Sequence, residues 1–172
     1  MRQKNVLIVT TVSGFLWQFE RNTVDILRKA GARIHYASGF GSKGYDFDEE
    51  YFTENEIQVH PVSIRKSPFH IKENCRALVE LICIIRREEI HVVHCHNPVG
   101  GVLGRLAAWL SAREVKVIYT AHGFHFYKGG PLKSWFLFYP VERALARMTD
   151  VLVTINREDR SCAGRFILKK GG

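Results

Sequence analysis

Residues 91–123, HVVHCHNPVGGVLGRLAAWLSAREVKVIYTAHG, decide the fold. Val92–Cys95 opens on two valines and predicts a short strand. Pro98 then stands in the first helical turn, where a missing N–H costs nothing, and small and apolar residues continue to Ala112. Val115–Thr120 is a second apolar run and predicts a second strand. Strands that read as near-continuous apolar runs are buried on both faces, as in a parallel sheet. Two of them joined by a helix make a right-handed crossover.

Working outward, the same alternation extends in both directions. Asn5–Thr11 (NVLIVTT) predicts a first strand and Val12-Ser13-Gly14 a turn. Phe15–Ala30 predicts a helix, with Leu16, Phe19, Thr23, Ile26, Leu27 and Ala30 at three- and four-residue steps and Gly31 as its C-cap. Arg33–Ser38 predicts the second strand, Gly39–Tyr45 a glycine-rich loop and Ile57–Val62 the third strand. A helix from about Glu73 to Glu89 carries acids at its start and arginines near its end, as the helix dipole favours. Beyond residue 123, Leu132–Met148 predicts a helix, Val151–Ile155 a strand and Glu158–Phe166 a last helix. The fold class expected is α/β: a Rossmann-like, doubly wound, mostly parallel sheet with helices on both faces, one domain over residues 1–172 without internal repeat or linker.

The composition agrees with one compact core: 172 residues, 46% hydrophobic and 24% charged. Twenty-five Lys and Arg against 17 Asp and Glu give a net charge of +8, so the surface attracts anions such as anionic lipid or phosphate. The basic residues are spread along the chain, and no RNP-type or recognition-helix pattern occurs, so nucleic acid is not expected. The four cysteines form no CxxC pair and three lie in apolar runs, which points to a reduced, cytoplasmic protein. No run reaches the ~18 apolar residues of a membrane span, and the N-terminus does not read as a signal peptide.

In an open parallel sheet, ligands collect at the carboxyl ends of the strands. Here those ends carry Ser13-Gly14, His94-Cys95-His96-Asn97, His122-Gly123-Phe124-His125 and Asn156-Arg157-Glu158-Asp159. Gly14 either makes a tight turn or lets backbone approach a phosphate at the following helix start. It lacks the further glycines of a dinucleotide or P-loop fingerprint. His94 and His96 share a strand face, but the further partners placed with them are His122 and His125, with no acidic residue between them, so no metal is expected. Asn97 reads as a hydrogen-bonding group facing the cleft. His122 reads either as a structural tie between loops or as an imidazole that reaches a hydroxylated ligand; its strand-end position favours the second. The run Trp135–Tyr139, with Lys128, Lys133 and Arg143 around it, reads as a membrane-surface element or as a buried core helix.

Three segments then carry a resemblance: HVVHCHNPVGGVLGRLAA, VIYTAHGFHFYKGGPLKSW and YPVERALARMTDVLVTINREDRSCA. Together they span His91 to Ala163 and resemble the family 4 glycosyltransferases of bacterial capsular and exopolysaccharide synthesis. The resemblance implies the N-terminal, acceptor-side half of a GT-B enzyme that transfers a sugar, usually UDP-linked, with retention and without metal or other cofactor. It maps His122 to the reaction centre, the Ser13-Gly14 loop to the donor diphosphate, and His96, Asn97, Gly123 and Phe124 to the acceptor side. Glu158 matches an acidic residue of unassigned role. The family's paired donor glutamates belong to a C-terminal domain that has no room within these 172 residues. The partners implied are a nucleotide sugar, a lipid-linked saccharide acceptor, an anionic membrane surface contacted through Lys128, Lys133 and Trp135, and a C-terminal domain or separate chain. The expected place is the cytoplasmic face of the membrane, peripherally attached. The competing class is a non-catalytic partner or membrane-binding module; a nucleotide-binding oxidoreductase is disfavoured by the missing glycine fingerprint.

Overall fold

The computed structural model describes residues 3–41, 44–127 and 129–169. Its elements in chain order are β1 (Asn5–Val9), α1 (Phe15–Phe19), α2 (Arg21–Lys29), β2 (Arg33–Ser38), α3 (Glu49–Glu54), β3 (Gln58–Pro61), α4 (Ile71–Arg87), β4 (Val92–His96), α5 (Pro98–Leu110), β5 (Lys116–Ala121), α6 (Leu132–Ala146), β6 (Val151–Thr154) and α7 (Arg157–Ala163). All pairings among the six strands are parallel, and the order across the sheet is β3-β2-β1-β4-β5-β6. This is the Rossmann order, and its reversal between β1 and β4 opens the crevice where ligands bind.

The pleat of β1 explains the two layers. Leu7 and Val9 face a core built with Leu81 and Ile85 of α4 and Leu103 of α5, whereas Ile8 faces Leu16, Val24, Tyr36 and Phe52. Both sets are buried, so every side chain of the strand after Asn5 is excluded from water. A buried ion pair ties α5 to α6: Arg105 Nη1 lies 2.8 Å from Glu142 Oε2, and the guanidinium stacks 4.0 Å over the Tyr119 ring. Removing either charge alone would strand its partner in the core.

The long first helix expected over Phe15–Ala30 is broken in two at Glu20, whose backbone leaves helical geometry (φ −120°, ψ 21°) as its side chain turns inward. A short helix, α3, fills part of the connection between β2 and β3, capped by Asp48, whose carboxylate accepts the Tyr51 N–H at 3.0 Å. Just past β1 the Thr10 hydroxyl bonds Tyr36 Oη (2.6 Å) and Ser38 Oγ (2.9 Å), while its N–H still donates to the Ala37 carbonyl at 3.1 Å. Of the cysteines, only Cys95 is buried; Cys83, despite its apolar run, points outward from α4, and all four are unpaired. Among the described residues no helix is long and apolar enough to cross a membrane.

Candidate functional site

The carboxyl ends of β4 and β5 and the junction between α1 and α2 bring three side chains together that are far apart in sequence. His96 Nδ1 lies 3.1 Å from His122 Nε2, and Glu20 Oε1 lies 3.4 Å from the first and 3.9 Å from the second. The ring of Phe15 packs edge-on to His122 with centroids 5.1 Å apart. His96 is 0% exposed and His122 26%, so His122 is the member that meets the cleft.

The register produces this arrangement. His94 and His96 share one face of β4, with ring centroids 4.2 Å apart, and His94 Nε2 bonds the Thr120 hydroxyl on β5 at 2.8 Å. His96 pairs with Thr120 across the ladder, which leaves His122, just past β5, over its ring. Burial holds His94 down at about 4, His96 well below the usual imidazole range, and His122 below it as well, so all three are neutral at pH 7. Burial also pushes the Glu20 carboxyl up, against the lowering effect of the Thr23 hydroxyl that bonds it.

Neutral histidines need a proton assignment, and the geometry favours one. A proton on His96 Nδ1 is shared between His122 Nε2 and Glu20 Oε1, while His96 Nε2, buried without a partner, carries only a lone pair. The opposite tautomer would bury an unsatisfied N–H instead, the costlier state beside a carboxylate. His122 therefore accepts at Nε2 and carries its proton on Nδ1. The three ligand atoms also lie within 4.8 Å of one another, a donor set that suits a transition-metal ion.

The remaining expected residues are placed as follows. Asn97 is held at a positive φ of 62°, and its Oδ1 faces the Thr11 N–H (3.4 Å) and hydroxyl (3.3 Å), tying the β4 loop to the β1 loop. Gly123 has φ 116° and open space beside it, a conformation that favours glycine. Phe124 is turned into the core, stacked on Phe126 at 4.7 Å, so only its backbone reaches the loop. His96 is likewise sealed off and touches the cleft only through His122. Beside Gly14 the chain's own backbone closes in: a Cβ there would stand 2.3 Å from the Asp46 carbonyl oxygen and 2.5 Å from that of Tyr45. The Ser13 carbonyl accepts the Tyr36 hydroxyl at 2.8 Å. Glu158 is exposed on α7. Trp135 packs on Phe126 and Tyr139 and donates its Nε1–H to the Tyr127 carbonyl at 3.1 Å. Lys133 is exposed, and Lys128 lies outside the described residues.

The roles of two residues were not expected. Glu20 corrects the expectation that no acidic residue lies among these histidines. Its signal was available: positions 16, 20 and 24 lie on one helical stripe, so a carboxylate stands in line with Leu16 and Val24. Asp159 is buried at the start of α7 and accepts the Phe124 N–H at 3.1 Å, fixing the loop that carries His122. Asn156 caps the same turn by accepting the Asp159 N–H at 2.7 Å, an N-cap signature legible three residues ahead.

Comparison with known proteins fits this geometry. The family described as glycosyl transferase 4-like domain matches residues 17–167. The chain is 41% identical over 157 residues to EpsD of Bacillus subtilis, described as a glycosyltransferase, covering 91% of this chain and 39% of that protein. It is 33% identical over 89 residues to a UDP-Gal:alpha-D-GlcNAc-diphosphoundecaprenol alpha-1,3-galactosyltransferase of Escherichia coli, covering 51% of this chain and 22% of that protein. The crystal structure of a glycosyltransferase from Rickettsia africae shares the fold, with a TM-score of 0.64 at 17% identity over 96% of this chain and 40% of that one. The chain thus spans about two fifths of the length of EpsD and of the solved enzyme.

Proposed function

The chain belongs to the glycosyl transferase 4-like family, and we propose that it is the acceptor-binding half of a retaining glycosyltransferase. The enzyme moves a sugar from a UDP-linked donor to a lipid-linked saccharide in surface polysaccharide synthesis. One observation carries the reading: a neutral His122, oriented by His96 and Glu20, stands beside the switch point of a Rossmann-order sheet. In this reading its Nδ1–H donates to a hydroxylated sugar in the cleft. Gly123 keeps that approach open, and Asn97 holds the facing loop.

In this reading the donor diphosphate meets the chain at the Ser13-Gly14 loop once the Tyr45 and Asp46 carbonyls swing away, since carbonyl oxygens would repel it where they stand. A second half, a C-terminal domain or separate chain, holds most of the nucleotide. In this reading transfer uses no metal or other cofactor, and the chelator arm of the test below decides whether an ion held by Glu20, His96 and His122 takes part in it. The protein works at the cytoplasmic membrane face, where its acceptor lies.

The test is a transfer assay against a panel of nucleotide sugars, with this chain alone and with the protein that carries it in full. Transfer by the full protein that survives a chelator supports the reading; no transfer to any lipid-linked saccharide refutes it. The second reading, a non-catalytic membrane-binding or partner module, draws on the exposed Leu132 and Phe136 of α6. It requires that His122→Ala change nothing except surface binding.

A further inference from the structure

Glu20 Oε1, His96 Nδ1 and His122 Nε2 form a triangle with sides of 3.1, 3.4 and 3.9 Å. The point equidistant from its corners lies about 2.0 Å from each, and Zn–N and Zn–O bonds are ~2.0–2.2 Å long. One ion in or just above that plane therefore meets all three atoms at bonding distance. Two imidazole nitrogens and a carboxylate oxygen suit Zn²⁺, whereas Mg²⁺ takes oxygen ligands in a near-ideal octahedron. Three protein ligands leave a fourth position for water.

The surroundings favour a cation at that point. Among the described residues no Lys or Arg pairs with the Glu20 carboxylate, so its buried charge has only the two imidazoles beside it. The Thr23 hydroxyl bonds Oε2, which leaves Oε1 turned to the histidines. The Phe15 ring covers both, its centroid 5.7 Å from that of His96 and 5.1 Å from that of His122, and an apolar cover of this kind limits water at a metal site. His122, partly exposed to the cleft, is the side from which an ion enters. One cost sets the strength. An ion on His96 Nδ1 moves the ring proton to Nε2, which is buried without a hydrogen-bond partner. Binding is therefore micromolar, weaker than that of a closed structural zinc site.

We propose that Glu20, His96 and His122 form a Zn²⁺ site that clamps the loop after β5 to the junction of α1 and α2. The ion takes the place of the proton shared by the two histidines. It is a clamp and not a reactant, so the site stands apart from the transfer reading, which needs no metal.

The chain, stripped of metal with a chelator and exchanged into clean buffer, is titrated with Zn²⁺ in calorimetry, with Mg²⁺ as the comparison. One equivalent of Zn²⁺ is expected to bind, and more tightly than Mg²⁺. At about 100 times its Kd it should raise the melting temperature by roughly 5–10 °C. Co²⁺ in its place should give the visible absorption of a four-coordinate ion, without the thiolate charge-transfer band that the exposed Cys75 and Cys83 would add. Glu20→Gln, which keeps the side-chain shape, and His122→Ala should each weaken Zn²⁺ binding at least ~10-fold while circular dichroism stays that of the unaltered chain. His70→Gln, at an exposed histidine outside the cluster, should leave binding unchanged. Zn²⁺ binding no tighter than that of Mg²⁺, binding undiminished in a folded Glu20→Gln variant, or equal weakening by His70→Gln overturns the site. Neither donor nor acceptor is present in these measurements, so the result does not turn on whether the full protein transfers sugar.

Discussion

A neutral imidazole at His122 touches the cleft on one side and a buried histidine on the other, so its loss should be felt by the reaction more than by the fold. His122→Ala is expected to lower the transfer rate about 100-fold, the scale of removing one well-placed polar group from a reaction centre. Its melting temperature should hardly move; a variant that melts early and keeps full activity would make the residue structural. Glu20 calls for the opposite accounting. Burial raises its pKa, so the folded state takes up the proton more readily than the unfolded chain, and stability falls as pH rises through that window. Glu20→Gln should therefore be neutral or stabilising at pH 7, yet slow transfer at least ~10-fold, because the carboxylate no longer selects the His96 tautomer. A pH–rate profile identical to that of the unaltered enzyme would remove Glu20 from the site. His122 was legible because strand-end position alone singles it out. Glu20 was not, because the reading counted apolar steps and passed over a carboxylate on the same stripe. Phe124 shows the converse: adjacency to His122 in sequence implied the cleft, but the positive φ of Gly123 turns the chain and sends the ring into the core.

At the level of elements, the edge of the sheet carries a pH-sensitive contact. His35 on β2 and His60 on β3 stack with ring nitrogens 3.0 Å apart, and both are buried. Burial, with His60 adjacent, pushes His35 down to about 4, and burial lowers His60 too. Between pH 6.5 and 4 the unfolded chain binds protons that the folded chain refuses, so stability falls as pH falls through that window. Urea midpoints at pH 7 and pH 5 should differ clearly for the unaltered chain and less for the double variant His35→Gln, His60→Gln; an equal difference would mean that the pair is not the sensitive element. The strands and the longer helices were legible because continuous apolar runs and three- and four-residue spacing each admit one reading. The break between α1 and α2 was not, since nothing in local propensity marks Glu20; it is set by what the side chain finds across the sheet. Helix α3 escaped because its six residues bury only Phe52, too little apolar surface to show a period.

The molecule as a whole combines a net charge of +8 with exposed apolar side chains on α6, and on the proposed reading the two together predict reversible attachment to an anionic membrane. The structure changes which side chains carry it. Trp135 is spent on Phe126, Tyr139 and the Tyr127 carbonyl, whereas Phe136 is 80% exposed and Leu132 74%, with Lys133 between them in sequence. Two apolar side chains can enter the headgroup layer, and cations beside them meet anionic lipid at roughly 1 kcal/mol each. Neither contribution is large enough to hold the protein irreversibly. Binding should accordingly appear on vesicles containing anionic lipid, be absent on neutral ones and be reversed by high salt, since screening shortens the reach of each charge. Phe136→Glu combined with Lys133→Glu should abolish sedimentation with the vesicles while leaving the melting temperature unchanged, because both side chains stand in solvent. Trp135→Ala should instead lower the melting temperature, by removing a ring that packs on the core. Equal sedimentation with anionic and neutral vesicles, or full binding by the folded double variant, would take the membrane face away from α6.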